Sequence, residues 1–237
     1  MRFTASNDDN IGAVYGDVNS DSLQFSTGAT ERLRITSGGD LQVAAGGNLE
    51  MASNGRIFVG NGGNATNPMF ANVSDTNTGI AFPAADNMMF ATGGTERLRI
   101  TSTGGFHFTN GELIERAKVT AGKLSDNTNI DLENGMVHLF TTQETTTSTP
   151  NIRINSSTSL NSVMAIGEMI SVTLITTAAA GAYSAQLTID GSAVTENWTG
   201  GSAPDAGGSS GVDIHAYTII KTADATFTVV ATQTTTS

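Results

Sequence analysis

The stretch FSTGATERLRITSGG at residues 25–39 returns as FATGGTERLRITSTGG at residues 90–105, displaced by 65 positions, and both contain the same eight letters, Thr-Glu-Arg-Leu-Arg-Ile-Thr-Ser. Such a match marks a duplicated structural unit. Within it Leu33 and Ile35 alternate with Arg32 and Arg34, and Leu98 and Ile100 alternate with Arg97 and Arg99. A period of two is the signature of a half-buried strand. The arginines then form a solvated face, with Glu31 and Glu96 as local partners. The similarity extends backward: DSLQF (21–25) answers DNMMF (86–90), and residues 12–15 (GAVY) answer residues 79–82 (GIAF), with two more residues between in the first copy.

Between the two copies runs a finer rhythm, GDLQVAAG, GNLEMASN and GRIFVGNG, in which Leu41, Leu49 and Ile57 recur at steps of 8, as do Val43, Met51 and Val59. Each octad reads as a short strand closed by a glycine-permitted turn. Ordering eight residues costs roughly 8 to 16 kcal/mol. Two buried aliphatic side chains return only about 3 to 6 kcal/mol. One octad therefore cannot fold alone, and a single-chain solenoid needs more and longer coils than these. Several identical chains wound together give each strand backbone partners and an apolar axis. The expectation is a homo-oligomeric, intertwined β shaft whose core holds Leu33, Ile35, Leu41, Val43, Leu49, Met51, Ile57, Val59, Leu98 and Ile100.

The 237 residues are 38% hydrophobic, enough to build a real core, and only 14% charged, yet 11 basic residues face 22 acidic ones for a net charge of -11. That balance argues against nucleic acid as a partner. With no cysteine, disulfide frameworks and thiolate zinc sites are excluded. The start, MRFTASNDDNIG, has no apolar signal region, and no run approaches the roughly 18 to 20 apolar residues of a membrane helix. No membrane insertion is expected.

After residue 110 the glycine spacing becomes irregular and longer alternating runs appear, among them MVHLFTT, MISVTLITT, VDIHAYTIIKT and ATFTVVATQT. Roughly eight such strands separated by turn signals predict an antiparallel β-sandwich or jelly roll. The expected organisation is all-β: a shaft over residues 1–110, then a head domain over 111–237. ENG, between Leu132 and Met136, reads as a tight hairpin turn. GELIERAKV, residues 111–119, is compatible with a short helix or a connecting strand.

The G-x-T-E-R-L-R-I-T-S unit followed by glycine-rich octads resembles tail-fibre proteins of tailed bacteriophages. The run from KLSDNTNIDLENGMVHLFTT through STSLNSVMAIGEMISVTLITT to YTIIKTADATFTVVA resembles the terminal module of fibre and other structural proteins of marine cyanobacterial phages. The resemblance implies a homotrimer in a virion appendage, assembled in the host cytoplasm. It also implies other tail or capsid proteins as partners and a C-terminal head facing host polysaccharide or lipopolysaccharide. No long anchoring domain precedes the first repeat, so a capsid-bound decoration protein, head fibre or tail connector is the alternative expectation.

For chemistry the chain offers little. Its three histidines, His107, His138 and His215, lie in segments read as strands or their connections, without metal-ligand spacing; no metal or cofactor is expected. Residues 207–211, GGSSG, match G-x-S-x-G in letters, but that motif requires a preceding strand and a following helix, and here a loop leads into a strand. GNGGNA, residues 60–65, reads as a loop without a following helix. A polysaccharide-cleaving activity needs paired carboxylates, and the head's acidic residues cluster locally only at Asp131 and Glu133. No catalytic residue is assigned and no enzyme is expected. Trp198, the single tryptophan, stands beside Asn197 and ahead of Asp205 in a loop-rich stretch. An aromatic face among amides and carboxylates suits a host glycan; the competing reading is a plug for the head or a subunit interface.

Overall fold

The computed structural model describes residues 2–5, 8–28, 30–50, 56–58, 60, 62–184 and 186–236. The fold is all-β; among the described residues the sole α-helix, α1, is the single turn Leu160–Val163, whose free N–H groups are bonded, those of Leu160 and Asn161 to the Asp190 carboxylate and that of Ser162 to the Ser159 hydroxyl. The chain divides into two compact units, Met1–Asn110 and Gly111–Ser237.

The first unit contains two five-stranded sheets, both simple antiparallel meanders. One runs β1 (Arg2–Ala5), β2 (Asp8–Asp17), β3 (Ser22–Thr27), β4 (Thr30–Ile35) and β5 (Leu41–Val43). A small hairpin, β6 (Gly63–Asn64) with β7 (Asn67–Pro68), follows. The other meander runs β8 (Phe70–Asn72), β9 (Asp75–Ala81), β10 (Met88–Thr92), β11 (Thr95–Ile100) and β12 (Phe106–Phe108).

The repeated letters have a common mechanical role. β4 pairs with β3 through Phe25↔Leu33 and then Ser26↔Glu31, so Arg32 is an extra residue; β11 pairs with β10 through Phe90↔Leu98 and Ala91↔Glu96, leaving Arg97 extra. In an unbroken strand residues three apart project from opposite faces. The bulge cancels one step of that alternation, so Glu31 reaches Arg34 and Glu96 reaches Arg99. Each guanidinium grips its carboxylate through two nitrogens, with Nε to Oε1 at 2.9 Å in both copies. The spare arginine bonds back across the hairpin, Arg32 to Thr27 and Arg97 to Thr92, both 2.8 Å. Gly93 and Gly94 at φ 58° and 74° supply the left-handed pair of a type I′ hairpin turn. After each strand a threonine closes the next loop through its hydroxyl and carbonyl, Thr36 onto residues 39 and 40, Thr101 onto 104 and 105.

Two expectations for this unit change. Val14 lies opposite Phe25 and Ile80 opposite Phe90, so Val14 answers Ile80; aligning residues 12–15 with 79–82 is one step out and would exchange the two faces. The octads do not each make a strand. Leu41–Val43 is β5, paired within its own chain, whereas Leu49 and Ile57 lie outside any strand; Met51 and Val59 fall outside the described residues. The physical reason is pairing: the first octad follows the Thr36 loop directly and finds β4 to bond, while the described residues Leu49 and Ile57 pair with no strand.

In the second unit the chain alternates between two sheets that share one core. The larger has the order β13 (Ala117–Thr120), β15 (Val137–Gln143), β17 (Met169–Thr177), β21 (Val212–Ala223), β22 (Thr226–Thr235) and β20 (Glu196–Trp198). The smaller comprises β14 (Asn129–Asp131), β16 (Asn151–Arg153), β18 (Thr188–Ile189) and β19 (Ser192–Ala193). Ile130, Ile152 and Ile189, in register, face Phe140, Val172, Leu174, Tyr217, Ile219 and Val229 of the larger sheet in a single buried cluster.

The purely antiparallel arrangement expected here is corrected: β13, β15 and β17 are mutually parallel, as are β14, β16 and β18, and β20 is parallel to β22. A chain that crosses to the other sheet after each strand must re-enter the first running the same way. ENG accordingly makes no hairpin. It is a short 3-10 turn, Leu132–Asn134, with Gly135 at φ 119°, carrying the chain from β14 in one sheet to β15 in the other. Residues 112–116 take no regular structure and Ala117–Thr120 is the strand β13.

Buried polar groups fix the second unit's interior. Tyr217 donates to Ser184 at 2.8 Å, and the Glu144 carboxylate receives the N–H groups of Leu124 and Ser125. Burial holds His215 neutral, its pKa driven down from 6.5 to about 4 despite the nearby Asp213 charge. Stability from that neutral form is complete above pH 6.5 and is lost as pH falls toward about 4. Replacing His215 with Asn should make the melting temperature less sensitive to acid in that window, as measured by calorimetry at half-unit pH steps.

Candidate functional site

Strand register assigns each meander two unlike faces. On one face of the first lie Val14, Leu23, Phe25, Leu33, Ile35, Leu41 and Val43. On the matching face of the second lie Phe70, Ile80, Met88, Phe90, Leu98, Ile100, Phe106 and Phe108. The 65-residue offset places Leu23 with Met88, Phe25 with Phe90, Leu33 with Leu98, Ile35 with Ile100, Leu41 with Phe106 and Val43 with Phe108. Six of the ten residues expected in an oligomer core therefore share two equivalent faces; Leu49 and Ile57 stand apart from both.

The opposite faces differ in kind. In the first meander Tyr15, Gln24, Arg34 and Gln42 form one row across the sheet. Ser22 and Gln24 are buried beneath Asp17, Ser20 and their bonded neighbours. The Arg34 guanidinium holds Glu31 below the usual carboxylate range, and Arg99 does the same to Glu96, aided by the Thr109 hydroxyl. In the second meander Met89, Ala81 and Ala91 occupy the corresponding face and are buried.

The apolar faces, by contrast, are open in the single chain. Leu41 is 59% exposed, Phe106 65% and Phe108 52%, with Leu23, Ile35 and Phe70 also exposed. Covering Phe106 and Phe108 completely is worth roughly 1.5 to 3 kcal/mol each. Contiguous apolar surface of this kind is a candidate interaction surface.

A second feature lies at the edge strand β20. An open groove of about 630 Å³ is walled by Gln186, Val194, Thr195, Glu196, Asn197, Trp198, Gly201, Ser202 and Ala203. Trp198 is half-buried against the core, its ring 6.4 Å from that of Tyr217 in an edge-on contact at 72°. β20 registers Glu196 with Val229, Asn197 with Val230 and Trp198 with Ala231. Glu196 and Trp198 therefore project to the core side and Asn197 to the other. Asn197 uses its amide to bond the Val229 carbonyl at 2.9 Å.

Of the three residues predicted for a glycan, Trp198 and Asn197 both line the groove but from opposite sides of the strand. Asp205 is exposed and does not line it, because the chain turns at Gly200 and Gly201 before reaching it. The groove's carboxylate is instead Glu196, two residues from Trp198 and so on its side of the strand; alternation along ENW was the signal available for it. Glu196 accepts the Leu187 N–H at 2.9 Å, and burial pushes its pKa above 4.5, opposed by that bond. The arrangement offers a half-buried indole, a carboxyl group whose neutral form burial favours, and the Gln186 amide, which bonds the Val194 carbonyl.

The remaining motifs are structural. In GGSSG the Gly208 N–H binds both Asp213 oxygens at 2.9 to 3.0 Å, and a Cβ at Gly207 would sit 2.4 Å from two carbonyl oxygens. Strand β21, not a helix, follows. His138 is buried, bonded to the Gly135 carbonyl at 3.0 Å, with its pKa lowered by burial. Among the described residues no three His, Cys, Asp or Glu side chains converge on a point that could hold a metal ion. No protein-family model, curated protein or solved structure matches the chain.

Folding favours the neutral form of Glu196, so its contribution to stability is complete below pH 4.5 and lost as pH rises through the elevated folded pKa. Glu196→Gln keeps an acceptor for Leu187 without the charge. It should raise the melting temperature at pH 7 and leave it unchanged at pH 3.5; a thermal-shift series across pH compares the two.

Proposed function

We infer that the chain is a structural protein of a tailed-phage virion. In this reading it is a homotrimeric fibre in which the meanders pack their apolar faces together as the shaft and the C-terminal unit forms a β-sandwich head that contacts the host surface. The observation that carries this reading is the pair of equivalent, uncovered apolar sheet faces. A five-stranded sheet with seven or eight apolar side chains on one side and an ion-pair row on the other needs a cover, and further copies of the same sheet supply one of matching shape and chemistry. Threefold symmetry and the virion setting come from the resemblance of the repeat unit and the head to phage fibre modules. At the host end the groove beside Trp198 suits a saccharide, with the indole ring against the apolar face of a sugar and Glu196, Gln186 and Ser202 at its hydroxyls. Three weak sites on one rigid particle gain avidity through effective concentration.

The deciding measurement is the molar mass of the purified protein by light scattering, expected at three times the 24.4 kDa chain mass. Phe108→Asp should lower that mass or the melting temperature, because it removes roughly 1.5 to 3 kcal/mol of apolar burial per chain. Gln42→Ala, on the polar face, should do neither. A monomeric wild type, or equal effects from the two substitutions, would exclude the assigned faces.

A further inference from the structure

The two sheets of the C-terminal unit carry opposite kinds of surface on the sides away from their shared core. The smaller sheet is dressed for water: Arg153 pairs with Asp131 at 2.6 Å, Asn151 donates to Asn129 at 2.9 Å, and Thr188 bonds Asn151 at 3.0 Å. The larger sheet has nothing of the kind. Its register sets out four rows on the outer side. These are Val119, Leu139, Ile175, Ile214 and Thr234; Ala117, Val137, Thr173, Ala216 and Thr232; Ser171, Thr218 and Val230; and Met169, Ile220 and Thr228. Among the described residues of these five strands, no side chain on that side is charged, and none of these residues is buried in the single chain. Val119 and Met169 are each 59% exposed.

We propose that this outer face is a self-association surface, covered by the corresponding faces of further copies of the same chain. Charge selects the occupant. Each copy carries a net charge of -11, so like chains repel wherever acidic surfaces meet, and a face free of charge is where they can approach. An unlike partner of an acidic protein would be steered by complementary charge, which this face does not offer. Size sets the role. Five strands about 4.8 Å apart and four rows about 6.8 Å apart span on the order of 400 Å², about half of what a stable pairwise interface takes from each partner. The face is therefore suited to closing an assembly already held by another surface, and the inference rests on the multichain reading above.

The chain contains no cysteine, so an introduced thiol reports on its own position. Ser171→Cys places one in the third row, exposed in the single chain, and Ser209→Cys places one in the exposed loop before β21. The full-length protein, each variant checked for mass by light scattering, is reacted with a maleimide of a few kilodaltons. The expected result is a multichain species in which Ser171→Cys labels at least tenfold more slowly than Ser209→Cys, the difference vanishing in denaturing urea. Val230→Glu, in the same row as Ser171, should restore fast labelling. Equal rates in a multichain species would overturn the proposal and leave the shaft reading intact. Slow labelling in a monomer would overturn both.

Discussion

A β-sheet can have one apolar side only if something covers it, and the rest of this molecule's organisation follows from how each unit stands toward that requirement. In the C-terminal unit the chain covers itself: strands alternate between two sheets, and Ile130, Ile152 and Ile189 close over Phe140, Leu174 and Tyr217. In the N-terminal unit the meanders leave Phe106, Phe108 and Leu41 in water. A consecutive meander returns each strand beside the last and never sends the chain across to build a second layer. Its apolar side is thus left uncovered in the single chain, and in the proposed fibre the hydrophobic effect would act between chains instead of within one.

The bulged hairpin is what keeps the two sides of each meander distinct. Without the bulge at Arg32, regular alternation would put Glu31 on the side of Leu33 and Ile35, placing a carboxylate in the apolar face. The bulge moves it to the side of Arg34, where the two-nitrogen fork satisfies it. The same construction at Glu96 and Arg99 explains why these letters are repeated without change while their neighbours drift. Leu23 can become Met88 and Val43 can become Phe108, since any apolar side chain serves on the apolar side. Glu, Arg and the turn residues have geometric duties that few other side chains perform.

In the C-terminal unit, desolvation is balanced against bonding at each buried polar group. Asp213 is satisfied by the Gly208 N–H, Tyr217 by Ser184, and Glu144 by two backbone donors, while His215 stays neutral with one ring nitrogen unpartnered. Glu196 sits between these and the solvent, half-buried in the groove wall with one backbone bond. Its environment differs from that of Glu31 and Glu96, which are held ionised by arginine, so carboxylates of one type take opposite protonation preferences from their surroundings.

The amino-acid sequence by itself determined the all-β class, the duplication at 65 residues, the alternation of Leu and Ile with Arg, and the pairing of each repeat's Glu with an arginine. These are local properties: period two and a turn glycine act over a few residues, so they are legible in the letters. What only the tertiary structure decided was which strand finds which partner. Leu41 and Val43 became a strand because β4 was adjacent, while Leu49 and Ile57, at the same positions of the octad pattern, did not. ENG looked like a hairpin turn, yet it joins two sheets because the partner of Val137 is Ala117 and not a residue of β14. Asn197 and Trp198 are neighbours in sequence but face opposite ways, and Glu196 took the place expected of Asp205 beside the indole. Strand pairing and the crossing between layers depend on contacts far apart in the chain, and no short-range pattern encodes them.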